Sequence, residues 1–284
     1  MAVGVIGASK GIGRLLFESL EAKNIEVTGI SRNKKDIVAS KRSKYFEMDA
    51  HHSLELKKVL EAHETVVHCS QPFILTKFLR CQPNIERLIV VGSTRLFSKF
   101  EDQKAKDLRL LAEKIWQSKI NATVIHPTLT YGAPDSNNVE RVVKFCSLSP
   151  IVPVPKGGNT LIQPVSASDL LQGLLTCLKD EETIGRTIIA AGGRAMSYKR
   201  FIEACAESSG KKTKVMLIPL PLIKILAAFS RLTPGIPSIH ASELERLFEN
   251  KHFSNDEFRK LLGREPLTFP ETLESGDPSL QKPS

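Results

Sequence analysis

The sequence has few of the features that mark secreted or metal-binding proteins. Its five cysteines stand singly and form no Cys-x-x-Cys pair, which favours reduced thiols in a cytoplasmic protein over a disulfide framework. The nearest approach to a zinc motif is His63-Glu64 followed by His68, and the second histidine comes five residues after the first instead of four. We therefore predict no metal site.

Long uninterrupted hydrophobic runs are also missing. The chain opens on an apolar, strand-like segment without the basic region of a secretory signal. The one long apolar stretch, Val215–Leu232, contains two prolines and two basic residues, so it is too interrupted to span a bilayer. We expect it to pack on the protein's own core, and a peripheral membrane contact through Pro219–Leu232 is the alternative.

The charge is unbalanced towards the basic side. Lys and Arg number 40 against 31 Asp and Glu, a net charge of +9, within an ordinary globular composition of 41 % hydrophobic residues. Such a charge suits either a nucleic acid or a phosphorylated ligand. Aromatic residues make up only 6 %, and basic residues alternate with acids along Glu101–Lys119, as on solvated helices. We therefore predict a small-molecule ligand and no nucleic-acid partner.

The first half of the chain alternates short Val- and Ile-rich runs with amphipathic segments. This alternation predicts parallel βαβ units around a buried sheet. The predicted strands are Val3–Ile6, Glu26–Ile30, Thr65–His68, Leu88–Val91 and Thr123–His126, and the predicted helices are Gly13–Lys23, Leu54–Ala62 and Asp102–Lys119.

From Pro127 onward, prolines punctuate a region that reads as mainly loops. Later segments predict helices at Ser168–Lys179, Ser197–Ser209 and Ile239–Asn250, with a strand at Thr187–Ala191. Together these segments predict an α/β fold around a parallel sheet.

The most informative segment is a glycine-rich turn between the first strand and the first helix. This context distinguishes a dinucleotide-binding turn from a chance cluster of glycines. The glycines permit a tight turn and a close approach of backbone to a pyrophosphate, and the helix N-terminus offers free N–H groups to the anion. The predicted cofactor-binding residues here are Gly7, Ser9, Lys10, Gly11, Ile12 and Gly13.

The end of the second strand indicates which dinucleotide is bound. NAD-preferring sites place an Asp or Glu there, to accept hydrogen bonds from the ribose 2′-hydroxyl. This chain has Ser31 followed by Arg32 instead, a pair suited to a 2′-phosphate, with Lys10 as a second cation. The sequence therefore favours NADP over NAD.

At this point the chain resembles the short-chain dehydrogenase/reductase superfamily, in particular its extended, epimerase/dehydratase-like branch. The opening turn is similar to the family's cofactor loop, and Val124–Gly132 is similar to its Arg-Pro-x-x-x-Tyr-Gly element. Gln163–Leu170 resembles the x-Pro-Val-x-x-x-Asp element, and Phe253–Pro266 the closing helix and turn. The likeness extends from Val3 to about Phe269. We therefore predict an α/β fold with a Rossmann-type doubly wound parallel sheet and a smaller C-terminal substrate lobe. We assign 1–130 and 165–190 to the dinucleotide-binding domain, 131–164 and 191–273 to the lobe, and 274–284 to a flexible tail.

The resemblance implies further positions around the cofactor, all directly after strands. The residues bordering adenine would be Asp49 and Ala50. Other positions would follow the ribose, the pyrophosphate and the nicotinamide: Cys69, Ser70, Gln71, Pro127, Thr128 and Leu129. Ser93 would be the active-site serine that orients a carbonyl or hydroxyl group.

The family's usual acid/base pair is absent. No Tyr-x-x-x-Lys occurs in the sequence, whose three tyrosines are followed four residues later by Asp49, Asp135 and Ile202. Aligning Ala112-Glu113 with the family's helix puts Arg109 at the lysine position and Ala105 at the tyrosine position. Arginine cannot act as a base at neutral pH, but Arg109 could still hold a phosphate or fill the site, so Ser93 and Arg109 are the candidate catalytic residues.

Two functions are therefore left open. One is an atypical NADP-dependent oxidoreductase or epimerase-like enzyme acting on a small carbonyl compound or a nucleotide sugar. The other is a protein that binds NADP(H) without turning it over, as a sensor, assembly factor or structural subunit. The retained serine and substrate lobe favour the first, and the missing tyrosine favours the second.

Overall fold

The first half of the molecule builds most of one parallel sheet. A computed structural model describes residues 2–33, 37, 42–135, 139–155, 159–210, 214–219, 221–222 and 249–269. Strands and helices alternate here as β1 Ala2–Ile6, α1 Gly11–Ala22, β2 Glu26–Ser31, β3 Ser43–Glu47, α2 Ser53–Leu60, β4 Thr65–His68, α3 Pro72–Arg80, β5 Arg87–Val91, α4 Gln103–Gln117 and β6 Asn121–Pro127.

The second half adds shorter elements. These are β7 Thr130–Tyr131, α5 Val139–Leu148, β8 Ile151–Pro155, β9 Leu161–Ile162, β10 Val165–Ser166, α6 Ala167–Cys177, β11 Thr187–Ala190, β12 Met196–Ser197, α7 Tyr198–Ser208, β13 Lys214–Ile218 and α8 Asp256–Leu262. Most of the predicted helix Ile239–Asn250 lies outside the described residues. The region after Pro127 is less loop-like than predicted, since it contains α5 and β8.

The central sheet has seven strands in the order β11-β6-β5-β4-β1-β2-β3. Every neighbouring pair is parallel, and the order reverses beside β1, where doubly wound folds bind ligands at the carboxyl ends of strands. The predicted fold class is confirmed. Each strand predicted in the first half is present, with bounds within two residues of those expected.

Buried side chains lie on both faces of the sheet. One face carries α1, α6 and α8 over a core that includes Phe17, Leu174 and Phe258. The other face packs against α2, α3 and α4. A third cluster, around Tyr131, Phe201 and Phe269, forms a separate core between α5, α7 and the short strands. The division into a nucleotide domain and a substrate lobe stays a prediction.

Candidate functional site

The glycine-rich turn is shaped for close backbone approach. Gly7 and Gly11 have φ of +91° and +58°, values that favour glycine because a side chain would be strained there. A Cβ on Gly13 would lie 2.2 Å from the Gly7 carbonyl oxygen, and one on Gly7 would lie 3.0 Å from the Cys69 carbonyl oxygen. The turn therefore packs directly against the segment that follows β4.

The first turn of α1 presents free donors. The Gly11 amide donates to the Pro134 carbonyl at 2.7 Å. Within the described part of the chain, the amides of Ile12 and Gly13 donate to no other group. Lys10 is exposed at the N-cap and its side chain makes no capping hydrogen bond. Two amides, a helix N-terminus and a lysine make this turn fit a pyrophosphate.

Replacing Gly13 with alanine tests the close packing of Gly13 against the Gly7 carbonyl. We expect Gly13→Ala to destabilise the fold by about 2 kcal/mol, because its methyl group must displace backbone atoms. Chemical denaturation measures the effect. Gly185→Asn is the matched control, since Gly185 has φ +75° in open space, where asparagine is tolerated. An equal loss in both variants would contradict the account.

The end of β2 is surrounded by hydroxyl groups. The Ser31 Oγ donates to the Asn33 carbonyl at 2.7 Å and lies 2.7 Å from the Tyr45 hydroxyl. Arg32 is exposed beside it. The register of β2 and β3 places Glu47 opposite Ser31, a carboxylate that sequence reasoning did not consider. The structure therefore places hydroxyls, a cation and a neighbouring carboxylate at the carboxyl end of β2.

Asp49 and Ala50 follow β3 as predicted. The Asp49 carboxylate accepts from the His51 backbone amide at 3.0 Å and contacts the His51 ring nitrogen at 2.5 Å. These hydrogen bonds from His51 hold the pKa of Asp49 below its usual range, with a smaller contribution from Arg32. Since His51 also stacks on Phe73 with ring centroids 4.8 Å apart, a histidine and an aromatic ring border this position.

The segment after β4 runs beside the glycine-rich turn. The Cys69 amide donates to the Ile6 carbonyl at 2.9 Å, and burial raises the pKa of its thiol to about 12. The thiol is therefore protonated at physiological pH, and the partly buried Cys69 packs against the core. Ser70 touches the position of a Gly7 Cβ, and the exposed Gln71 precedes α3.

Ser93 lies against a buried histidine. Its backbone amide is 3.2 Å from Nδ1 of His126, and its carbonyl oxygen is 3.1 Å from the same atom. Burial lowers the pKa of His126 to about 4, so the imidazole is neutral at physiological pH. Gly92 makes room for this ring, because a Cβ there would lie 2.6 Å from Nδ1. The Ser93 hydroxyl accepts from the Arg95 amide at 3.2 Å.

The residues after β6 connect the sheet to the later elements. The Pro127 carbonyl accepts from the Thr94 hydroxyl at 3.3 Å. Thr128 is buried, and its hydroxyl donates to the Gln163 carbonyl at 2.5 Å. Leu129 accepts from the Val165 amide at 2.9 Å through its carbonyl. The Thr128 side chain thus holds the strand end in place.

The two helix positions matched to the catalytic pair are structurally unlike each other. Ala105 is fully buried and is held by the N-cap of α4, where its amide donates to Asp102 at 2.9 Å. The Arg109 side chain is 42 % exposed and pairs with Glu101 at 2.7 Å. The described contacts of Arg109 are therefore on the helix surface, and they do not bring it together with Ser93.

Sequence reasoning missed two residues at the crevice, His126 and Tyr45. For His126 a signal was available, since it stands where the family's element has an arginine. Tyr45 gave no local signal, because its partner Ser31 is 14 residues away. Neither contact can be foreseen without the register of the sheet.

Among the described residues, no helix is long and apolar enough to cross a membrane. Most of the Pro219–Leu232 segment, for which a peripheral contact was the alternative, lies outside the described residues.

Comparison with known proteins identifies the fold. No family model and no curated protein matches the sequence. Among solved structures, the UDP-glucuronic acid 4-epimerase of Bacillus cereus, in complex with UDP-glucuronic acid and NAD, has a TM-score of 0.74 at 14 % identity, with 99 % of both chains covered. A nucleoside-diphosphate-sugar epimerase from Staphylococcus aureus has a TM-score of 0.75 at 16 % identity, covering 96 % of this chain and 100 % of its own.

A third structure, an epimerase of Methanothermobacter thermautotrophicus, has a TM-score of 0.71 at 15 % identity and covers 96 % of this chain and 90 % of its own. At identities this low, the structural similarity shows only that the fold is shared. The chain has the fold of the extended short-chain dehydrogenases/reductases, over nearly its whole length. The resemblance noted in the sequence motifs is confirmed at that level.

Proposed function

We propose that this protein binds NADP(H) along the carboxyl edge of its sheet. The observation that carries the proposal is the glycine-rich turn, whose Ile12 and Gly13 amides have no other acceptor in the described part of the chain. These amides and Lys10 would hold the pyrophosphate. The nicotinamide dinucleotide is further supported by the B. cereus epimerase, which has the same fold and was solved with NAD.

A preference for NADP is supported by the residues at the end of β2. The position that usually carries the carboxylate of NAD-binding folds is Ser31, with Arg32 exposed next to it. A guanidinium forms strong, charge-assisted hydrogen bonds with a phosphate. Glu47 lies opposite Ser31 in register and is the residue that favours the alternative, NAD.

Removing the Arg32 guanidinium tests the preference. We expect Arg32→Ala to weaken NADPH binding about tenfold or more, because a hydrogen bond to a charged group contributes roughly 1.5–3 kcal/mol. NADH, which has no 2′-phosphate, should bind within about twofold of wild type. Fluorescence titration of both nucleotides measures the two affinities.

A matched control is Arg186→Ala, at an exposed arginine just before β11. It lies at the amino edge of the sheet, away from the crevice, and should change neither affinity. An equal loss of NADPH and NADH binding in Arg32→Ala would contradict the proposal that Arg32 binds the 2′-phosphate.

We further propose that the protein works without the usual tyrosine-lysine chemistry, as a sensor, assembly factor or structural subunit that binds NADP(H). Ala105 carries no proton, and the Arg109 guanidinium is paired with Glu101. The remaining positions at the crevice then serve binding: Ser9, Asp49, Ala50, Cys69, Ser70, Gln71, Pro127, Thr128 and Leu129.

The second candidate function is an atypical oxidoreductase acting on a small carbonyl compound or a nucleotide sugar. It is favoured by Ser93, whose backbone is in contact with the neutral imidazole of His126. The Ser93 hydroxyl would orient a reacting carbonyl, and His126 would hold Ser93 in place. The fold likeness to sugar-nucleotide epimerases also supports this class of substrate.

Stoichiometric consumption of NADPH separates the two functions. Purified protein is incubated with NADPH and panels of nucleotide sugars, aldehydes and quinones. Bound NADPH that stays unoxidised with every compound supports the binding protein. Turnover with a single compound, lost in Ser93→Ala, supports the oxidoreductase. The cytoplasmic location and the division into two domains remain predictions.

A further inference from the structure

A tyrosine hydroxyl is built into the adenosine end of the crevice. Tyr45 stands opposite Gly29 in the parallel register of β2 and β3. Its ring lies over Gly29, where a Cβ would be only 2.7 Å from two ring carbons. Phe17 packs against the ring edge-on, with centroids 5.5 Å apart. The ring is therefore fixed on both sides, and its hydroxyl is carried along the sheet towards the end of β2.

This hydroxyl meets serines from two different segments. It lies 2.7 Å from Oγ of Ser31 at the end of β2, and it also interacts with Ser9 in the glycine-rich turn. Because Gly29 and Ser31 are two residues apart in a strand, they share one face of the sheet. A side chain that crosses Gly29 on that face reaches Ser31 directly.

The hydroxyl is a neutral donor at physiological pH. Burial raises the pKa of Tyr45 above its ordinary value of 10.0, and hydrogen bonding to Ser31 and Ser9 offsets that rise only in part. Ser31 gives its own proton to the Asn33 carbonyl, so in the described arrangement Tyr45 donates to Ser31. Since a hydroxyl proton rotates freely about its C–O bond, Tyr45 can donate to a ligand oxygen instead.

The charges around this group define what it would recognise. Arg14 and Glu47 act on the Tyr45 hydroxyl with opposite signs, and Arg32 lies near enough to act on Asp49. Arg14 is already paired, with Glu18 at 2.7 Å. Arg32 is exposed and has no partner within hydrogen-bonding distance in the described part of the chain. An anion held by Arg32 would need further neutral donors, and Tyr45 and Ser9 can supply them.

We infer that Tyr45 is a specificity-determining residue that recognises a phosphate on the 2′ position of the adenosine ribose, together with Ser9, Ser31 and Arg32. The inference rests on the proposed function, because it assigns a new residue to the same dinucleotide site. A phosphate gains a hydrogen bond to its charged oxygen from the Tyr45 hydroxyl. A 2′-hydroxyl gains only a neutral one, so Tyr45 adds to the discrimination that Arg32 provides between the two nucleotides.

The test uses fragments of the cofactor that occupy only the adenosine end. Adenosine 2′,5′-bisphosphate and adenosine 5′-monophosphate are titrated by calorimetry into wild-type protein and Tyr45→Phe. Phenylalanine keeps the packing on Gly29 and Phe17 and removes only the hydroxyl. We expect the bisphosphate to bind Tyr45→Phe about tenfold more weakly, and the monophosphate to bind within about twofold of wild type.

Two controls keep a structural role distinguishable from recognition. Tyr198→Phe removes a tyrosine hydroxyl from α7 and should leave both affinities unchanged. The melting temperature of Tyr45→Phe without ligand reports on folding. Equal weakening of both fragments would show that Tyr45 only supports the loop, and it would overturn the inference.

The proposed function fails separately from this inference. If wild-type protein binds NADPH better than NADH, but Tyr45→Phe retains the full preference for the bisphosphate, the inference is wrong and NADP binding stands. If wild-type protein binds neither fragment and neither dinucleotide, both are wrong.

Discussion

Lowering the pH from 7 to 5 is expected to destabilise this protein by about 4 kcal/mol, because two buried histidines must stay neutral in the folded state. Burial lowers the pKa of His68 to about 3 and that of His126 to about 4. Both would titrate near 6.5 in the unfolded chain. Below pH 6.5 these two histidines therefore bind protons in the unfolded state but remain neutral in the folded state.

The sign and size follow from proton linkage. A histidine with a depressed folded pKa stabilises the fold above its unfolded pKa, and that stability is lost as the pH falls. Each such histidine loses about 1.4 kcal/mol per pH unit well below 6.5, or about 2 kcal/mol from pH 7 to pH 5. Within the described part of the chain, no charged side chain contributes to either shift. His63, whose pKa burial also lowers, adds to the same trend.

Chemical denaturation at pH 7 and pH 5, without nucleotide, measures this loss. His68→Leu should remove about half of it. The variant should also be more stable than wild type at pH 7, because neither ring nitrogen of His68 has a hydrogen-bond partner in the described part of the chain. His252→Gln, at an exposed histidine, is the control and should keep the full pH dependence. A wild-type stability that is equal at both pH values would refute the assignment of these histidines as buried and neutral.

Replacing Asp169 with alanine should destabilise the fold by about 3 kcal/mol, because its buried carboxylate accepts from a backbone amide and from the half-exposed Arg264 guanidinium, and a hydrogen bond to a charged group contributes roughly 1.5–3 kcal/mol. Asp169 is fully buried in the first turn of α6. One carboxylate oxygen accepts from the Arg264 guanidinium at 2.5 Å, and the other accepts from the Leu267 amide at 2.7 Å. The carboxylate therefore ties the segment after α8 to the first turn of α6.

Two further described contacts hold that segment. The Gly193 amide donates to the Leu267 carbonyl at 3.1 Å, and Phe269 is buried against Tyr131 and Phe201. Without Asp169, the Leu267 amide and the Arg264 guanidinium lose their acceptor. The third core cluster, which includes Phe269, should then loosen together with this segment.

The exposed pair Asp256–Arg259, 3.3 Å apart on α8, is the matched control. Asp256→Ala should cost under about 1 kcal/mol, because surface ion pairs are worth little. Asp169→Asn should fall between the two, since the amide oxygen still accepts from Leu267. Similar losses in Asp169→Ala and Asp256→Ala, measured by urea denaturation, would argue against an anchoring role for Asp169.

The parts of the fold that the sequence predicted well are the buried strands. Runs such as Thr65–His68 are β-branched, wholly buried and bounded by turn residues, so local pattern and final structure agree. Helix α3 was missed because Pro72–Arg80 is apolar on most sides, with five of its nine residues buried. Helix α5 was missed because the prolines around it suggested a loop region.

The candidate site shows a similar contrast between a motif of consecutive residues, which could be predicted, and contacts between distant residues, which could not. The glycine-rich turn could be predicted because its function depends on consecutive residues between one strand and one helix. The contacts of Tyr45 with Ser31, and of His126 with Ser93, join residues 14 and 33 positions apart. They depend on strand order and register, which a single sequence does not contain. The position of Arg109 could be counted from the motif, but not its pairing with Glu101.

The most direct test of the central claim is the ratio of the dissociation constants of NADPH and NADH for the wild-type protein, measured by fluorescence titration in one buffer. If Arg32 and its neighbours bind the 2′-phosphate, NADH should bind about tenfold or more weakly than NADPH, since a charge-assisted contact contributes roughly 1.5–3 kcal/mol. Equal affinities, or tighter binding of NADH, would contradict the proposed preference for NADP. Glu47, opposite Ser31, would then be the carboxylate that accepts a hydrogen bond from the ribose 2′-hydroxyl.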